Sequence, residues 1–376
     1  MKNSSTDTIS IPGKKKARLI DVIRNSGEIL KKKIVTAGFD GFVDSLAKVI
    51  KEKNEQNTAT LFSTIEEFGN YILEKKGASF SLELSSQSIK LGGNMPIMAN
   101  ALGKFGMKVS CIGALGYPQP EPIFNFPPNC QLYSFANPGS STALEFTDGK
   151  MLLGDMGALN TTGWEEIKNR IGIETLDQLF KESDLICLLN WSEIDASTDI
   201  WKGLLKAIFP SSSFEKRQTV FVDLSDCSKR STESINEALQ LLKEFGQHSK
   251  VILSLNKNEA GVISRTLSLT NDNADPVKTA AGLFEKLEIH ELVLHSSKET
   301  LAVTKGNVVS VKTFYTSNPK ISTGAGDNFN AGFCTAQLLQ LDIEESLWLA
   351  NAFSGYYVRE GKSADANEII NFFENY

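Results

Sequence analysis

The sequence predicts an α/β protein, a three-layer α/β/α sandwich with a mainly parallel sheet and a small β lid. From Leu159 onward, apolar strands alternate regularly with helical segments. These strands are continuous apolar runs, which is typical of parallel strands that are covered by helices on both faces. Residues 117–150 contain prolines and short strands separated by turns, which predicts a second, smaller sheet.

Composition excludes several classes of function. The chain has 376 residues, a formal net charge of −6 and no long basic run, so we expect neither nucleic acid nor a membrane as a partner. The N-terminus is polar, without an apolar signal segment, and no apolar run is long enough to span a bilayer. Five widely spaced cysteines without a CxxC pair fit a reducing, cytoplasmic location.

The N-terminal part of the chain supplies the first elements. Residues 1–16 are predicted as a polar tail followed by a helix, so that a segment of residues 1–30 precedes a core of residues 31–376. KIVTAGF, a β-branched run that ends at glycine and phenylalanine, predicts the first strand. Residues 63–76 have helical periodicity and residues 79–91 alternate like a half-buried strand. A helix ended by Gly106 and the strand KVSCIGAL follow.

Residues 117–150 interrupt this order. YPQPEPIFNFPPN can form neither a helix nor an inner strand, because proline lacks a backbone N–H. CQLYSFA, STALEFT and KMLLG then predict short strands separated by NPGS and DGK turns, a meander that favours a small antiparallel sheet. We expect the lid to comprise segments of about residues 45–90 and 117–155.

The rest of the chain locates the binding site. The strands LICLLN, TVFVDLS, KVILSLN and ELVLHSS alternate with helical segments. Ligands of such sheets bind beyond the carboxyl ends of the strands. The loops after Phe39, Ser225, Asn256 and Ser297, together with the turn at residues 322–327, are therefore the predicted site.

The turn STGAGDNFNAGF carries the most specific chemical signal. Gly324, Ala325 and Gly326 begin a predicted helix, and a helix start built from small residues can bind phosphate through its free N–H groups. Asp327 follows, where an acid would repel phosphate unless it accepts a proton from an attacking hydroxyl. From chemistry alone, a stabilising acidic first turn explains the pattern equally well.

Three motifs in order resemble the ribokinase-like sugar kinases, the PfkB carbohydrate kinase family. TGAGD is similar to the C-terminal signature of that family, and LGGNMPIMANALGKFG to its N-terminal Gly-Gly motif. LNKNEAGVI resembles its N-x-x-E element. The resemblance covers residues 34–376 and implies a ribokinase-like fold that transfers the γ-phosphoryl group of ATP, with Mg²⁺, to a hydroxyl of a sugar or sugar-like substrate.

The resemblance also implies roles for individual residues. Asp327 would be the catalytic base, and the N–H groups of Gly324, Ala325 and Gly326 would form the anion hole. The other implied contacts are those with the nucleotide (Asn256, Glu259, Thr323, Asn351), with Mg²⁺ through water (Glu259) and with substrate hydroxyls (Asp44, Asp40, Gly92, Gly93, Asn94). Asn256 and Glu259 also fit a helix-capping pair, and the two roles are compatible.

Departures from the family pattern keep alternatives open. Ile321 replaces an acid that often helps to hold a monovalent cation in the family, so the resemblance leaves potassium activation unsupported. Ile97 replaces the usual asparagine of the Gly-Gly helix. Local similarity to ADP-dependent sugar kinases makes ADP an alternative donor.

Two further alternatives concern the acceptor and the activity itself. A nucleoside kinase would need a base-stacking aromatic on the lid, for which the candidates are Phe124, Phe126, Tyr133 and Phe135. A ligand-binding relative that has lost catalysis is the alternative from a different class. Exposed lid strands often pair between subunits, so pairing of two lids in a homodimer is a further prediction.

Overall fold

The computed structural model describes residues 11–56, 58–211, 218–269 and 275–376. Most of the predicted polar tail therefore lies outside the described residues. The described part of that tail is already helical, because the first helix begins at Gly13. None of the helices in these ranges is both long and apolar enough to cross a membrane.

The described ranges contain α-helices and β-strands over most of their length. The helices are α1 (Gly13–Asn25), α2 (Gly27–Leu30), α3 (Ile65–Glu74), α4 (Asn94–Lys104), α5 (Trp164–Ile171), α6 (Ile173–Glu182), α7 (Ser197–Ala207), α8 (Thr232–His248), α9 (Lys257–Thr266), α10 (Pro276–Leu287), α11 (Ala325–Leu338), α12 (Ile343–Glu360) and α13 (Ala366–Glu374). The strands are β1 (Ile34–Phe39), β2 (Phe42–Lys53), β3 (Ala59–Leu61), β4 (Glu83–Gly92), β5 (Lys108–Gly113), β6 (Cys130–Ser134), β7 (Gly139–Phe146), β8 (Gly149–Asp155), β9 (Leu185–Leu189), β10 (Thr219–Asp223), β11 (Lys250–Asn256), β12 (Glu291–His295), β13 (Glu299–Thr304) and β14 (Asn307–Lys312).

A nine-stranded sheet forms the centre of the molecule. Its strand order is β14-β13-β12-β11-β10-β9-β1-β5-β6. All neighbours from β6 to β12 pair in parallel, while β13 pairs antiparallel with both β12 and β14. Every residue of β9 is buried, as expected for a strand that is covered on both faces. The predicted mainly parallel α/β fold is confirmed.

Two large hydrophobic clusters on opposite faces of this sheet make the three layers. One cluster contains buried residues of α5, α7, α8, α9 and α10, and the other contains those of α1, α4, α11, α12 and α13. Leu19 and Ile23 of α1 are fully buried in the second cluster. Arg18 of the same helix donates to Glu345 of α12 at 2.7 Å. The helix predicted within the separate segment 1–30 therefore packs as part of the main body.

A smaller sheet projects from the main body. Its order is β3-β2-β7-β8, and β4 pairs antiparallel with residues 42–50 of β2. Alternate residues of β2 point to opposite faces. Ala47 and Val49 bury one face against Phe62 and Phe68, beside α3. Asp44, Leu46 and Lys48 therefore lie on the other face.

The predicted antiparallel meander of residues 130–154 is wrong in two respects. First, β6 joins the large sheet, where Val109 of β5 pairs in parallel with Cys130. The proline-rich segment before it carries the chain back to the start of β5, so β6 runs in the same direction as β5. Second, β7 pairs in parallel with β2, with Asp44 opposite Ser141. Only β7 and β8 form the antiparallel hairpin that the DGK turn predicts.

Candidate active site

The loops that the sequence indicated lie at one edge of the large sheet. Asp40 follows β1, Asn190 follows β9, and Ser225 follows β10. Asn256 ends β11 and His295 ends β12, so both lie at the same carboxyl edge. The first turn of α11 also lies there, since the ring of Phe329 packs against the ring of His295, with centroids 5.0 Å apart.

The first turn of α11 is built around a glycine that no other residue can replace without strain. Gly324 has a φ of +89°, and a Cβ placed on it would lie 2.7 Å from the hydroxyl of Tyr357. That hydroxyl donates to the carbonyl of Thr323 at 3.1 Å. The N–H of Ala325 donates to the carbonyl of Ser322. A helix leaves its first N–H groups without intrahelical acceptors, so the donors of this turn can bind an anion.

Asp327 lies inside this helix start, and its side chain is almost completely buried. Only 8% of the residue is exposed. Burial raises the pKa of its carboxyl group well above the usual value, and the nearby carboxylates of Asp223, Asp40 and Glu259 raise it further. A carboxylate with a raised pKa is a stronger base than an exposed one, which suits proton removal from a hydroxyl.

A buried polar network that the sequence did not predict lies beside Asp327. The Asp223 carboxylate accepts the N–H of Ser225 at 2.8 Å and the side-chain amide of Asn330 at 2.6 Å. Asn330 in turn accepts the hydroxyl of Ser254 at 2.8 Å. Two signals could have identified these residues, because Asp223 ends a predicted strand and Asn330 lies within the TGAGDNFNAGF motif.

Asn256 and Glu259 form the capping box of α9. The Asn256 side chain accepts the N–H of Glu259, and the Glu259 carboxylate accepts the N–H of Asn256 at 2.8 Å. Burial raises the pKa of Glu259 to about 8, and the charges of Asp223 and Asp226 contribute. The capping role is therefore present, and it holds the Glu259 carboxylate near Asp223.

Asp44 and Gly92 meet where β2 pairs with β4. Asp44 accepts the hydroxyl of Ser141 at 2.7 Å. Burial raises the pKa of Asp44, while Ser141 and the charge of Lys150 oppose that shift. A Cβ on Gly92 would overlap the carboxyl group of Asp44, so the missing side chain leaves the space that this carboxyl group occupies. The carboxylate is partly accessible, as a ligand for hydroxyl groups must be.

Asp40, predicted as a second substrate ligand, has a different position. It is fully buried, and it accepts the backbone N–H groups of Asn94 and Met95 at 2.7 and 2.8 Å. It also accepts the side-chain amide of Asn190 at 2.6 Å. Burial raises its pKa to about 6, against these hydrogen bonds. Asp40 therefore holds the start of α4, which includes the turn Gly93–Asn94, and it is not placed to contact a ligand directly.

Two of the four predicted nucleotide residues, Asn256 and Asn351, line a cleft of about 620 Å³ next to α11, whereas Glu259 and Thr323 are not among its lining residues. Asn256, Ala325, Gly326 and Asn351 are among its lining residues. The side-chain amide of Asn351 donates to the hydroxyl of Thr300 at 2.9 Å and so also ties α12 to β13. His295 forms part of the wall, and burial lowers its pKa to about 4, so the ring is neutral.

The predicted aromatic candidates for base stacking lie away from this site. Phe124 and Phe135 are almost completely buried in the main body, and Phe126 packs against the same cluster as Phe124. Tyr133 lines a cavity that also includes Ile34 and Lys108, which begin β1 and β5 at the opposite edge of the sheet. None of the four belongs to the smaller sheet.

Comparison with known proteins identifies the family. A family model described as prokaryotic ketohexokinase matches residues 14–376. A ketohexokinase of Haloferax volcanii is 28% identical over 344 residues, which cover 91% of each chain.

Solved structures agree on the fold. Arabidopsis thaliana ribokinase complexed with ribose and ATP is 17% identical, has a TM-score of 0.63, and is matched over 91% of this chain and 98% of that one. Thermotoga maritima ribokinase is 16% identical, has a TM-score of 0.60, and is matched over 91% of this chain and 100% of that one. The chain therefore belongs to the prokaryotic ketohexokinase family and is an ATP-dependent carbohydrate kinase with the ribokinase fold.

Proposed function

We propose that this chain phosphorylates a hydroxyl of a ketohexose, with ATP as donor and Asp327 as the catalytic base. The observation that carries the proposal is the buried Asp327 carboxylate inside the glycine-built start of α11, which borders the nucleotide cleft. Tyr357 lies within electrostatic reach of both Asp327 and Asp44. The name of the Haloferax volcanii relative supports a ketohexose as the acceptor.

The chemistry is an in-line displacement. Asp327 accepts the proton of the acceptor hydroxyl, the hydroxyl oxygen bonds to the γ-phosphorus of ATP, and the bond to the bridging oxygen breaks to release ADP. The N–H groups of Gly324 and Gly326 stabilise the charge on the transferring group, since the N–H of Ala325 already donates to Ser322. Asp44 accepts hydrogen bonds from other hydroxyls of the sugar, and Asp40 fixes the Gly93–Asn94 turn against which the sugar lies.

The residues present fit a magnesium ion held mainly through water and phosphate. No group of three or more acidic, histidine or cysteine side chains in the described ranges could hold a metal by itself. The charge of Asp223 nevertheless raises the pKa of both Glu259 and Asp327, and a divalent cation nearby would relieve that repulsion. When bound, Mg²⁺ would neutralise charge on the β- and γ-phosphates. Glu259 and Asp223 would hold its water ligands.

Three further parts complete the proposal. We assign β2, β3, α3, β4, β7 and β8 as the lid that closes over the sugar and excludes water. β4 pairs only with β2 within the described ranges, and Leu84 and Ile89 on it are 44% and 61% exposed. This edge supports a homodimer. The five free cysteines support a cytoplasmic location.

The test is ADP or AMP release from MgATP or MgADP across a panel of ketohexoses, aldohexoses, pentoses and nucleosides. We expect turnover with MgATP and a ketohexose, and a loss of roughly 10²–10⁴-fold in kcat for Asp327→Asn, because that change removes the base and keeps the shape. Asp365→Asn is the matched control, since Asp365 caps α13 and asparagine caps equally well.

Each alternative has its own outcome in this test. Turnover with a nucleoside but no sugar would replace the proposed acceptor, and turnover with MgADP alone would replace the donor. A chain that binds MgATP and a sugar in a thermal-shift assay but never turns over would be the catalytically impaired relative. Activity that survives Asp327→Asn would remove the role proposed for that residue.

A further inference from the structure

A second cleft, of about 830 Å³, separates the smaller sheet from the segment that leads into α11. One wall is the face of that sheet that carries Lys48, Glu145 and Lys150. The other wall is Pro319–Ser322, directly before Thr323 and the anion-binding turn. The cleft is adjacent to the nucleotide cleft, because Pro319 and Ser322 line both.

Two lysines of this cleft, Lys48 and Lys150, lie on the same face of the smaller sheet. Lys48 is four residues from Asp44 on β2, so the two side chains point to the same face. Lys150 of β8 pairs across the hairpin with Glu145 of β7. Its charge also lowers the pKa of Asp44, which shows that Lys150 lies within electrostatic reach of that carboxylate.

The charge of the cleft is positive overall. Lys48, Lys150 and Lys320 line it, and Glu145 is the only acid among its lining residues. Lys150 contacts Glu145 at a moderate 3.4 Å, and Lys320 contacts Glu360 outside the cleft at 3.4 Å. Lys48, which is half-buried, has no carboxylate partner in the described part of the chain.

We propose that Lys48 and Lys150 bind the phosphate group that passes between donor and acceptor, and that they are ligands for phosphate rather than surface charges of the lid. The inference rests on the proposed function for the position of the acceptor. Its support is the position of the cleft, which shares Ser322 with the donor cleft and contains Lys150, whose charge reaches Asp44. A primary ammonium group binds phosphate oxygens as a point charge with three donors.

Two forms of the same phosphate chemistry can occupy this site, namely the γ-phosphate of ATP and the phosphate of the sugar product. Calorimetric affinities of the full chain for MgATP and MgADP test the first form, and affinities for fructose 1-phosphate and fructose 6-phosphate test the second. For the Lys48→Gln/Lys150→Gln double variant we expect the affinity for MgATP or for a fructose phosphate to fall roughly ten-fold or more. The affinity for MgADP, which lacks the transferred phosphate, should stay unchanged.

The controls separate this role from damage to the fold. Lys51 lies on the same strand as Lys48 but on the opposite face, where it contacts Glu67 at 2.8 Å. The Lys51→Gln variant should therefore change none of these affinities. Lys48→Arg/Lys150→Arg should restore binding because the charge is kept. Glu145→Gln should strengthen phosphate binding, since it releases Lys150, and a misfolded lid could not produce that gain.

The proposal is overturned if the double glutamine variant binds MgATP and both sugar phosphates as Lys51→Gln does. It is also overturned if all ligands, including MgADP, weaken equally and arginine does not restore binding. Because the readout is binding, it does not depend on turnover. A wild-type chain without ketohexose kinase activity would contradict the proposed function, while the comparison of MgATP with MgADP would still decide the role of the lysines.

Discussion

A single methyl group at Gly92 should disable the proposed sugar site. Gly92 ends β4 opposite Phe42, and its φ is not in the left-handed region, so alanine introduces no backbone strain there. All three atoms of the Asp44 carboxyl group would nevertheless lie within 3.0 Å of the new Cβ, closer than real Cβ atoms approach other heavy atoms. The carboxyl group must therefore move.

The size of the effect follows from that overlap. Relief of the overlap requires a displacement of roughly 1 Å, and a misplacement of that size in a group that positions substrate can cost about 10²-fold in rate. Asp44 would also lose its 2.7 Å hydrogen bond from Ser141. We therefore expect kcat/KM for the sugar to fall roughly 100-fold, while KM for MgATP changes little because neither Gly92 nor Asp44 lines the nucleotide cleft.

The assay is steady-state ADP release with both substrates varied, together with thermal melting. Gly69→Ala is the matched control. Gly69 lies in helix α3, beside the smaller sheet, and an added Cβ there would have no neighbour within 4 Å. The variant should leave activity unchanged. The Asp44→Ala background tests the mechanism, since a Cβ at residue 92 should cost almost nothing once the carboxyl group is absent.

Two results would refute this reasoning. If Gly92→Ala keeps normal kcat/KM for the sugar, the Asp44 carboxylate is not a substrate ligand or the strand adjusts without moving it. If the losses from Gly92→Ala and Asp44→Ala add in full, the glycine acts independently of Asp44.

Three further predictions follow from buried polar groups. Asp40→Asn should lower the free energy of unfolding by about 1–3 kcal/mol in urea titrations, because one amide oxygen cannot replace a carboxylate that accepts three hydrogen bonds; an unchanged midpoint and slope would contradict the role given to Asp40. Tyr357→Phe should lower kcat several-fold with little change in sugar KM, since the Thr323 carbonyl loses its donor; unchanged kinetics would show that the turn needs no such support. Burial raises the folded-state pKa of Glu259 to about 8, so the folded chain binds more protons than the unfolded one and loses stability as pH rises from about 4.5 to 8. The stability of Glu259→Gln relative to wild type should therefore increase over that pH range, and added Mg²⁺ should reduce this stability difference. Parallel stability–pH profiles of the two proteins would exclude the raised pKa.

Local signals explain which parts of the fold were predictable. The apolar runs of β9, β10, β11 and β12 predict buried parallel strands because each run is short, continuous and separated from the next by a helix. The strand β6 has the same local character as β7, yet the two lie in different sheets. Their difference is one of direction and partner, which depends on the path of the proline-rich segment and not on their own residues.

The sequence by itself determined the α/β class and the family, since apolar periodicity and glycine spacing are local requirements that residue type alone can meet. It also predicted the anion-binding turn and a ligand site at one edge of the sheet. Both Asp40 and Asp44 are acids that follow the first strand. Only the tertiary structure shows that Asp40 is fully buried while Asp44 stays partly accessible to a ligand. It likewise brought Asp223 beside Asp327 and Lys150 beside Asp44. Electrostatic effects act across space between residues far apart in the chain, so no local pattern could show them.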